Sequence, residues 1–180
     1  ARLVGTREIV LAPTGLGELW IRDGVQYRLL RMLVCGLVRG LLQSPHVHYL
    51  FENSEDPREF GLDPAGPMVT VIGGAGVDPN AFPVAPEPAA PPVKIAVIAR
   101  MIAPKGIAEA VEATRLARAA GAPVELHLFG DPDPSNRRSI PQEMLAKWSA
   151  EPGISWHGHT NDVAGVWRAH HIAMLLTHRE

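Results

Sequence analysis

The sequence predicts an α/β protein made of two units, each with a parallel sheet covered by helices. Two observations support this prediction. Short apolar runs alternate with helical patterns along both halves of the chain, which is typical of strand–helix–strand repeats. Between the halves, residues 77–92 contain six of the chain's 17 prolines. Because proline fixes φ and removes a backbone donor, we expect this stretch to be a stiff, extended connector without helix or strand.

The first unit, residues 1–76, is predicted to contain three strands and one long helix. In chain order we expect a strand at 8–12, a turn at 13–17, a helix at 22–43, a strand at 47–51, a helical turn at 56–60 and a strand at 68–72. The helix is strongly apolar, but its longest charge-free run, 32–38, is much shorter than the ~20 residues that span a bilayer. A core helix is the first interpretation, and a helix on an anionic membrane surface is the alternative.

The second unit, residues 93–180, alternates more clearly. The expected elements are a strand at 94–99, a helix at 107–120, a strand at 124–129, a helix at 141–150, a strand at 154–157, a helix at 163–170 and a strand at 172–176. The first of these helices has an apolar face formed by Ile107, Ala110, Val111, Thr114 and Ala117. Gly121 follows it as a C-cap. This order predicts a parallel sheet with helices on its faces.

Composition narrows the classes of function. The chain has 180 residues, 20% of them charged, and a formal net charge of -2. Near-neutral charge gives no general attraction to nucleic acid, so no nucleic-acid partner is expected and any anion site must be local. The single cysteine, Cys35, cannot form an intrachain disulfide. This favours a reducing compartment, and we expect a cytoplasmic protein.

Positive charge is concentrated where the strand at 94–99 ends. Arg100 follows the strand, and Lys105 and Gly106 follow a short turn at the start of the next helix. Ligands of open α/β sheets lie outside the carboxyl ends of strands, and a helix N-terminus adds free N–H groups and partial positive charge. The pattern therefore predicts a phosphate or diphosphate site. A solvated pair of cations near a strand end is the alternative.

Weaker candidates follow two other strands of the second unit. Gly130 and Asp131 end one strand at a place where a nucleotide could lie, although a plain turn explains them equally well. The next strand, expected at 154–157, ends in His157, Gly158 and His159. Simple alternation would put both histidines on one face. A metal site would need a third ligand at matching spacing, and the sequence offers none. We therefore expect no metal.

These motifs, taken in order, resemble those of the retaining family-four glycosyltransferases of the GT-B fold, in the branch that builds bacterial capsular polysaccharides and exopolysaccharides. The matching pieces extend along nearly the whole chain: Thr14-Gly-Leu-Gly17, Tyr49-Leu-Phe-Glu-Asn53, Val71-Ile-Gly-Gly-Ala-Gly-Val-Asp78, Ala99-Arg-Met-Ile-Ala-Pro-Lys-Gly-Ile107, Leu128-Phe-Gly-Asp131, Trp156-His-Gly158 and Leu175-Leu-Thr-His-Arg-Glu180. Each motif is weak to moderate alone, and their shared order and spacing make the resemblance specific. It implies a GT-B architecture, with parts of two Rossmann-like domains joined by the proline-rich linker.

The resemblance implies that the protein transfers a sugar from a nucleotide-sugar to a saccharide or lipid-linked acceptor with retention of configuration. Arg100 and Lys105 would hold the diphosphate as it leaves, and Glu180 would contact hydroxyls of the donor sugar, so these three are the implied catalytic residues. The implied donor-binding set is Arg100, Lys105, Gly106, Gly130, Asp131, His157, Gly158 and Glu180. The family uses cations here in place of a divalent metal, so no cofactor is expected.

The resemblance assigns the first unit to the acceptor. The turn that contains Thr14, Gly15 and Gly17 follows a strand, so its backbone N–H groups would approach a substrate closely; a tight turn without a ligand is the alternative. Many relatives have a histidine near this point that faces the reacting sugar. This chain has Pro13 followed by threonine and glycine, so the residue on that face is not identified. Peripheral contact of residues 22–43 with the cytoplasmic membrane face would suit a lipid-linked acceptor.

Members of this family are roughly twice as long, with two domains of ordinary size. We therefore expect an internal fragment that is inactive alone, with partial domains at 1–76 and 93–180 joined by the linker at 77–92. Two other functions stay open: a sugar-nucleotide epimerase of the same fold, and a non-catalytic nucleotide-binding module. A dinucleotide dehydrogenase is the weakest alternative, because no Gly-x-Gly-x-x-Gly turn follows a strand.

Overall fold

The computed structural model describes residues 7–13, 19–20, 22–42, 44–74 and 76–177. The chain divides into two units, residues 1–77 and 78–180. Each unit contains a parallel sheet and its own helices.

The elements of the first unit are β1 (Ile9–Leu11), α1 (Val25–Leu37), a π-helical turn (Val38–Leu42), β2 (Val47–Phe51), α2 (Asp56–Glu59) and β3 (Val69–Val71). The three strands pair in parallel in the order β1-β2-β3. Val47, Tyr49 and Phe51 of β2 are all buried, which is the period of two expected of a strand with one core face. β2 has the predicted bounds, and β1 and β3 are each one residue shorter at both ends than predicted.

Aromatic side chains form the core of the first unit. Trp20, Tyr49, Phe51 and Phe60 are buried. The ring centroids of Trp20 and Phe60 lie 5.1 Å apart, and those of Phe51 and Phe60 lie 6.0 Å apart. Trp20 Nε1 donates a hydrogen bond to the Glu59 carboxylate at 3.1 Å, so the buried indole keeps a polar partner.

Helix α1 departs from the core-helix interpretation. None of its residues is buried, and Val34 and Cys35 are the helical residues that pack partly against the core in the described part of the chain. Its other side exposes a row of large apolar side chains: Val25, Leu29, Leu30, Met32, Leu33 and Leu37. The interpretation is wrong for that side, whose apolar side chains are 44–74% exposed.

The elements of the second unit are β4 (Val93–Ile98), a 3₁₀ turn (Ala103–Lys105), α3 (Ile107–Ala119), β5 (Val124–Phe129), α4 (Gln142–Ser149), β6 (Ile154–Gly158), α5 (Val163–Ala169) and β7 (Ile172–Ala173). All strands pair in parallel, in the order β6-β5-β4-β7. The connections from β4 to β5 and from β5 to β6 each pass through a helix, as parallel pairing requires.

β7 is shorter than the strand predicted at 172–176. Met174 N still donates to the Ala96 carbonyl oxygen at 2.9 Å. Beyond it, Thr177 Oγ1 donates to the Pro104 carbonyl oxygen at 3.3 Å. The predicted length is wrong because the chain after β7 packs against the 103–106 turn and no longer pairs as a strand.

The main core of the second unit lies between the sheet and helices α3 and α4. Val97, Leu126 and Leu128 from the strands meet Ile107 and Leu145 from the helices, and none of the five is more than 1% exposed. Burying each such side chain stabilises the fold by ~1.5–3 kcal/mol relative to leaving it in water. The predicted apolar face of α3 is confirmed at the positions that are buried: Ile107, Ala110, Val111 and Thr114.

The opposite face of this sheet carries aromatic and histidine side chains. His127 and Phe129 of β5 alternate with the buried Leu126 and Leu128 and therefore face the other way. The ring of His170, at the end of α5, meets them edge-on, with centroid distances of 4.8 Å to His127 and 5.6 Å to Phe129. α5 thus covers this side of the sheet.

Residues 78–92 form no helix or strand and belong to the second unit by their contacts. His171 connects them to the sheet. Its Nδ1 accepts a hydrogen bond from Lys94 N at 3.0 Å, and its Nε2 donates to the Pro88 carbonyl oxygen at 3.0 Å. This histidine therefore fixes the proline-rich segment to the start of β4.

Candidate functional site

An open cleft of about 630 Å³ lies at the carboxyl ends of β4 and β5. Its walls are residues 98–100, residues 129–134, and His159, Thr160 and Val163 from the β6–α5 connection. The volume is within the range of small-molecule sites, ~300–1,000 Å³. The position is where open α/β sheets bind ligands.

Gly130 allows the backbone to close around the base of the cleft. Its φ is 134°, and a Cβ built on it would collide with the Ala99 carbonyl oxygen. Gly130 N donates to the Gly158 carbonyl oxygen at 2.7 Å, and Trp156 Nε1 donates to the Gly130 carbonyl oxygen at 2.9 Å. The structure therefore brings together two glycines that the sequence placed on separate strands, and a side chain at Gly130 would force its backbone away from Ala99 at the end of β4.

Arg100 follows β4 and lines the cleft. Its side chain is 64% exposed, and Nη1 lies 2.9 Å from Asp133 Oδ2. A hydrogen bond from the Ser135 hydroxyl, and then the one from Arg100, lower the pKa of Asp133. Asp131, the other acidic residue predicted here, is exposed on the cleft wall and accepts a hydrogen bond from Met101 N through its backbone carbonyl oxygen. Among the residues that the structure describes, the cleft thus contains one guanidinium and two carboxylates.

Lys105 and Gly106 lie in the turn before α3 and do not line this cleft. Gly106 has a left-handed φ of 69°, and a Cβ there would collide with the backbone of Leu176. The predicted pair of cations is therefore divided, with Arg100 in the cleft and Lys105 beside the segment that leads to the C-terminus. Glu180, the third predicted catalytic residue, lies outside the described residues.

His157 and His159 do not share a face. The pairing of β6 with β5 shifts register between Leu128 and Phe129, so that Phe129 is opposite Gly158 and His157 is the extra residue of a bulge. A bulge interrupts alternation and redirects side chains. His159 lines the cleft, whereas the ring of His157 stacks on Phe129 with centroids 4.7 Å apart. The expectation from simple alternation is therefore wrong.

Three histidines, His127, His157 and His170, pack together behind Phe129. His127 Nδ1 and His157 Nε2 are hydrogen-bonded at 2.9 Å, and His127 Nε2 lies 3.6 Å from a Glu125 carboxylate oxygen. Burial lowers the pKa of both His127 and His157, and the neighbouring His170 lowers them further. His127 and His157 are therefore neutral at neutral pH. No group of three or more His, Cys, Asp or Glu side chains in the described ranges is arranged to hold a metal ion.

Sequence reasoning missed two residues of the cleft, Phe129 and Asp133. In the sequence Phe129 ends an apolar strand and belongs to the motif Leu128-Phe-Gly-Asp131, and neither feature assigns it a place in the site. Asp133 stands two residues before Ser135, and an Asp followed by Ser at this spacing is a known turn signal that fixes the carboxylate. The sequence contains that turn signal, but it does not reveal that the Asp133 carboxylate contacts Arg100.

The acceptor-side residues Thr14, Gly15 and Gly17 lie outside the described residues. No helix within the described ranges is long and apolar enough to cross a membrane. In the first unit, a smaller cavity of about 290 Å³ is lined by Leu11, Ala12, Pro13, Val38, Tyr49 and Phe60. Three of its lining residues, Leu11, Ala12 and Pro13, directly precede the predicted acceptor turn in the sequence.

Neither a protein-family model nor a curated protein matches the sequence. Among solved structures, the chain is similar to HepE from Anabaena in complex with UDP and glucose, with a TM-score of 0.65 and 15% identity over 97% of this chain and 48% of HepE. HepE in complex with UDP gives a TM-score of 0.62 and 15% identity, covering 95% of this chain and 47% of that one. TarM gives a TM-score of 0.64 and 11% identity, covering 96% of this chain and 32% of TarM.

The chain therefore spans about half the length of HepE and about a third of TarM. Identities this low establish likeness of fold alone. On that basis the predicted fold class is confirmed: the protein is α/β, with two parallel sheets, and has the GT-B type of fold.

Proposed function

We propose that this protein takes part in the transfer of a sugar from a nucleotide-sugar donor to a saccharide or lipid-linked acceptor, with retention of configuration. The observation that supports this most is the cleft at the carboxyl ends of β4 and β5, with Arg100 on its wall, in a fold shared with a protein that has been solved with UDP and glucose. The first unit would bind the acceptor, and the second would bind the donor.

The diphosphate of the donor would be held by Arg100 and Lys105. When the bond between the sugar and the diphosphate breaks, negative charge grows on the leaving phosphate oxygen. A positive group at that point stabilises the transition state more than the ground state, and removing one such contact typically costs about 3–4 kcal/mol. Lys105 would act from the 103–106 turn, together with the N-terminus of α3 and the backbone of Gly106.

The nucleoside would lie against the strand ends. Gly130, Asp131 and Gly158 are the predicted contacts, and the ring of Phe129 adds an apolar wall. His157 would act through Phe129, because it stacks on that ring and does not line the cleft. Glycines suit this place because their backbone N–H and C=O groups stay accessible to a ligand.

Retention would follow a front-face displacement in which the leaving phosphate takes the acceptor proton. This route needs no separate general base, and the proposal includes no metal and no cofactor. Glu180 would contact hydroxyls of the donor sugar, and Thr14, Gly15 and Gly17 would approach the acceptor. Residues 22–43 would rest on the cytoplasmic face of the membrane through the exposed apolar side of α1.

Calorimetric titration of the whole chain with UDP, GDP and the corresponding UDP- and GDP-sugars tests the proposal. We expect one of these diphosphates to bind and Arg100→Ala to weaken that binding. Product analysis then separates the alternatives, because a transferase releases nucleoside diphosphate whereas an epimerase returns an altered donor. If wild-type chain binds none of these compounds, the proposed function is wrong.

A further inference from the structure

Asp133 holds its carboxylate in a fixed place at the cleft wall. Oδ1 accepts hydrogen bonds from Ser135 N at 3.1 Å and from Ser135 Oγ at 2.6 Å. The backbone N–H of Asp133 donates to Ser139 Oγ at 2.9 Å. The side chain is only 20% exposed. These contacts fix the carboxylate independently of Arg100.

The loop around Asp133 is attached to the end of β4 by backbone hydrogen bonds. Met101 N donates to the Asp131 carbonyl oxygen at 3.0 Å, and Ile140 N donates to the Met101 carbonyl oxygen at 2.8 Å. These bonds lie on both sides of Asp133 and involve no side chain. A substitution of Asp133 therefore leaves the attachment of the loop intact.

Arg100 is the more exposed partner of the pair. Its side chain is 64% exposed, and the hydrogen bond from Nη1 to Asp133 Oδ2 at 2.9 Å is the one that the described residues provide. A guanidinium has five N–H donors in a rigid, planar arrangement. One contact to Asp133 therefore orients the group and leaves other donors for a second anion.

We propose that Asp133 is a positioning residue, whose fixed carboxylate holds the Arg100 guanidinium where the diphosphate of a nucleotide-sugar enters the cleft. The inference rests on the function proposed above. An arginine that is already oriented loses less side-chain entropy when the ligand binds, which raises affinity. Repulsion between Asp133 and the diphosphate opposes this gain. It is the smaller effect, because the carboxylate stays paired with Arg100 and hydrogen-bonded to Ser135, which offset its charge.

The test compares UDP with UMP in calorimetric titrations of the whole chain. Asp133→Ala should reduce the preference for UDP over UMP about two- to ten-fold, the range expected for ordering one long side chain. Asp133→Asn should also reduce it, because Arg100 and Ser135 donate to different carboxylate oxygens and a carboxamide has an NH₂ donor in place of one of them. In an Arg100→Ala background, Asp133→Ala should change the preference no further. Circular dichroism and thermal melting would show that each variant is folded.

Glu151→Ala is the matched control, because Glu151 forms a similar arginine–carboxylate pair with Arg115 at 2.7 Å outside the cleft. It should leave both affinities unchanged. Three results overturn the inference while leaving the proposed function standing: an unchanged UDP preference in Asp133→Ala, tighter UDP binding in that variant, or equal weakening of UDP and UMP. Failure of wild-type chain to bind UDP and GDP overturns both.

Discussion

The ring of Phe129 lies between the cleft and the histidine cluster, with the ring of His157 stacked on it at a centroid distance of 4.7 Å and an interplanar angle of 13°. His157 is in turn hydrogen-bonded to His127 of β5. His157, whose pKa burial holds below the ordinary histidine value, is thus packed directly against a wall of the candidate donor site. Protonation of His127 or His157 therefore costs free energy in the folded second unit.

Stability should fall as the pH drops below the ordinary pKa of histidine. Burial lowers the pKa of His127, and the neighbouring His170 and His157 lower it further. The unfolded chain takes up a proton near pH ~6.5, where folded His127 stays neutral. The unfolded state then binds more protons, so this group's contribution is complete above ~6.5 and is lost as the pH falls toward the lowered folded pKa. Urea unfolding followed by circular dichroism from about pH 7.5 to 5 measures the slope.

His127→Gln should flatten that dependence, because the titrating group is gone. His159→Gln is the matched control: His159 is exposed and hydrogen-bonded to Asn161, and its loss should leave the slope in place. A slope that survives in His127→Gln and disappears in His159→Gln would contradict the assignment.

Gly106→Ala should destabilise the second unit more than Gly121→Ala. Both glycines have positive φ, 69° and 87°, so both substitutions carry a left-handed backbone cost of about 1–2 kcal/mol. At Gly121 a Cβ meets nothing within 4 Å, whereas at Gly106 it collides with the Leu176 backbone. We therefore expect a further loss of about 1–3 kcal/mol in Gly106→Ala.

Thermal unfolding measures that difference, and amide hydrogen exchange locates it. The Met174 amide donates to the Ala96 carbonyl oxygen. Its exchange rate should rise in Gly106→Ala and stay the same in Gly121→Ala. Equal melting temperatures for the two variants would show that the approach of residues 174–177 to the turn contributes nothing to stability.

Loss of either predicted phosphate-binding cation should slow sugar transfer. In a turnover assay of a complete enzyme that contains this chain, Arg100→Ala and Lys105→Ala should each lower kcat and kcat/KM together. The expected loss is about 100- to 1,000-fold, because the contact strengthens in the transition state. Arg115→Ala, which removes an arginine paired with Glu151 outside the cleft, should retain full turnover. Unchanged kinetics in both Arg100→Ala and Lys105→Ala would refute the proposed roles of these cations.

The exposed side of α1 should bind anionic vesicles if it rests on a membrane. Met32 and Leu33 are 57% and 59% exposed, and arginines flank them in the sequence. Apolar burial and attraction of Arg28 and Arg39 to anionic lipid would then act together. Sedimentation with phosphatidylglycerol vesicles should fall in Met32→Glu and Leu33→Glu. Leu116→Glu, on the exposed side of α3, should sediment like wild type.

Elements with strong local periodicity were predictable from the sequence. β2 and β5 have the predicted bounds, and α3 buries the predicted face, because alternation and 3.6-residue spacing depend on neighbours in the chain. The exposure of α1 was not predictable in this way. It depends on how many strands the helix packs against, which local sequence does not determine.

The candidate site was predictable in position but not in detail. Arg100 at the end of β4 follows from the general rule on strand ends. Its pairing with Asp133 joins residues 33 positions apart and depends on how the 131–140 loop folds back. The bulge that separates His157 from His159 depends on register with β5, which no pattern within β6 reveals.

The hydrogen bond from Trp156 to the Gly130 carbonyl oxygen puts an indole in direct contact with the base of the cleft. The emission of an indole responds to changes in its polar surroundings, so a ligand that settles on Gly130 should shift the intrinsic fluorescence of Trp156. The protein thus contains its own optical reporter for occupancy, and a screen of candidate donors needs neither a label nor turnover.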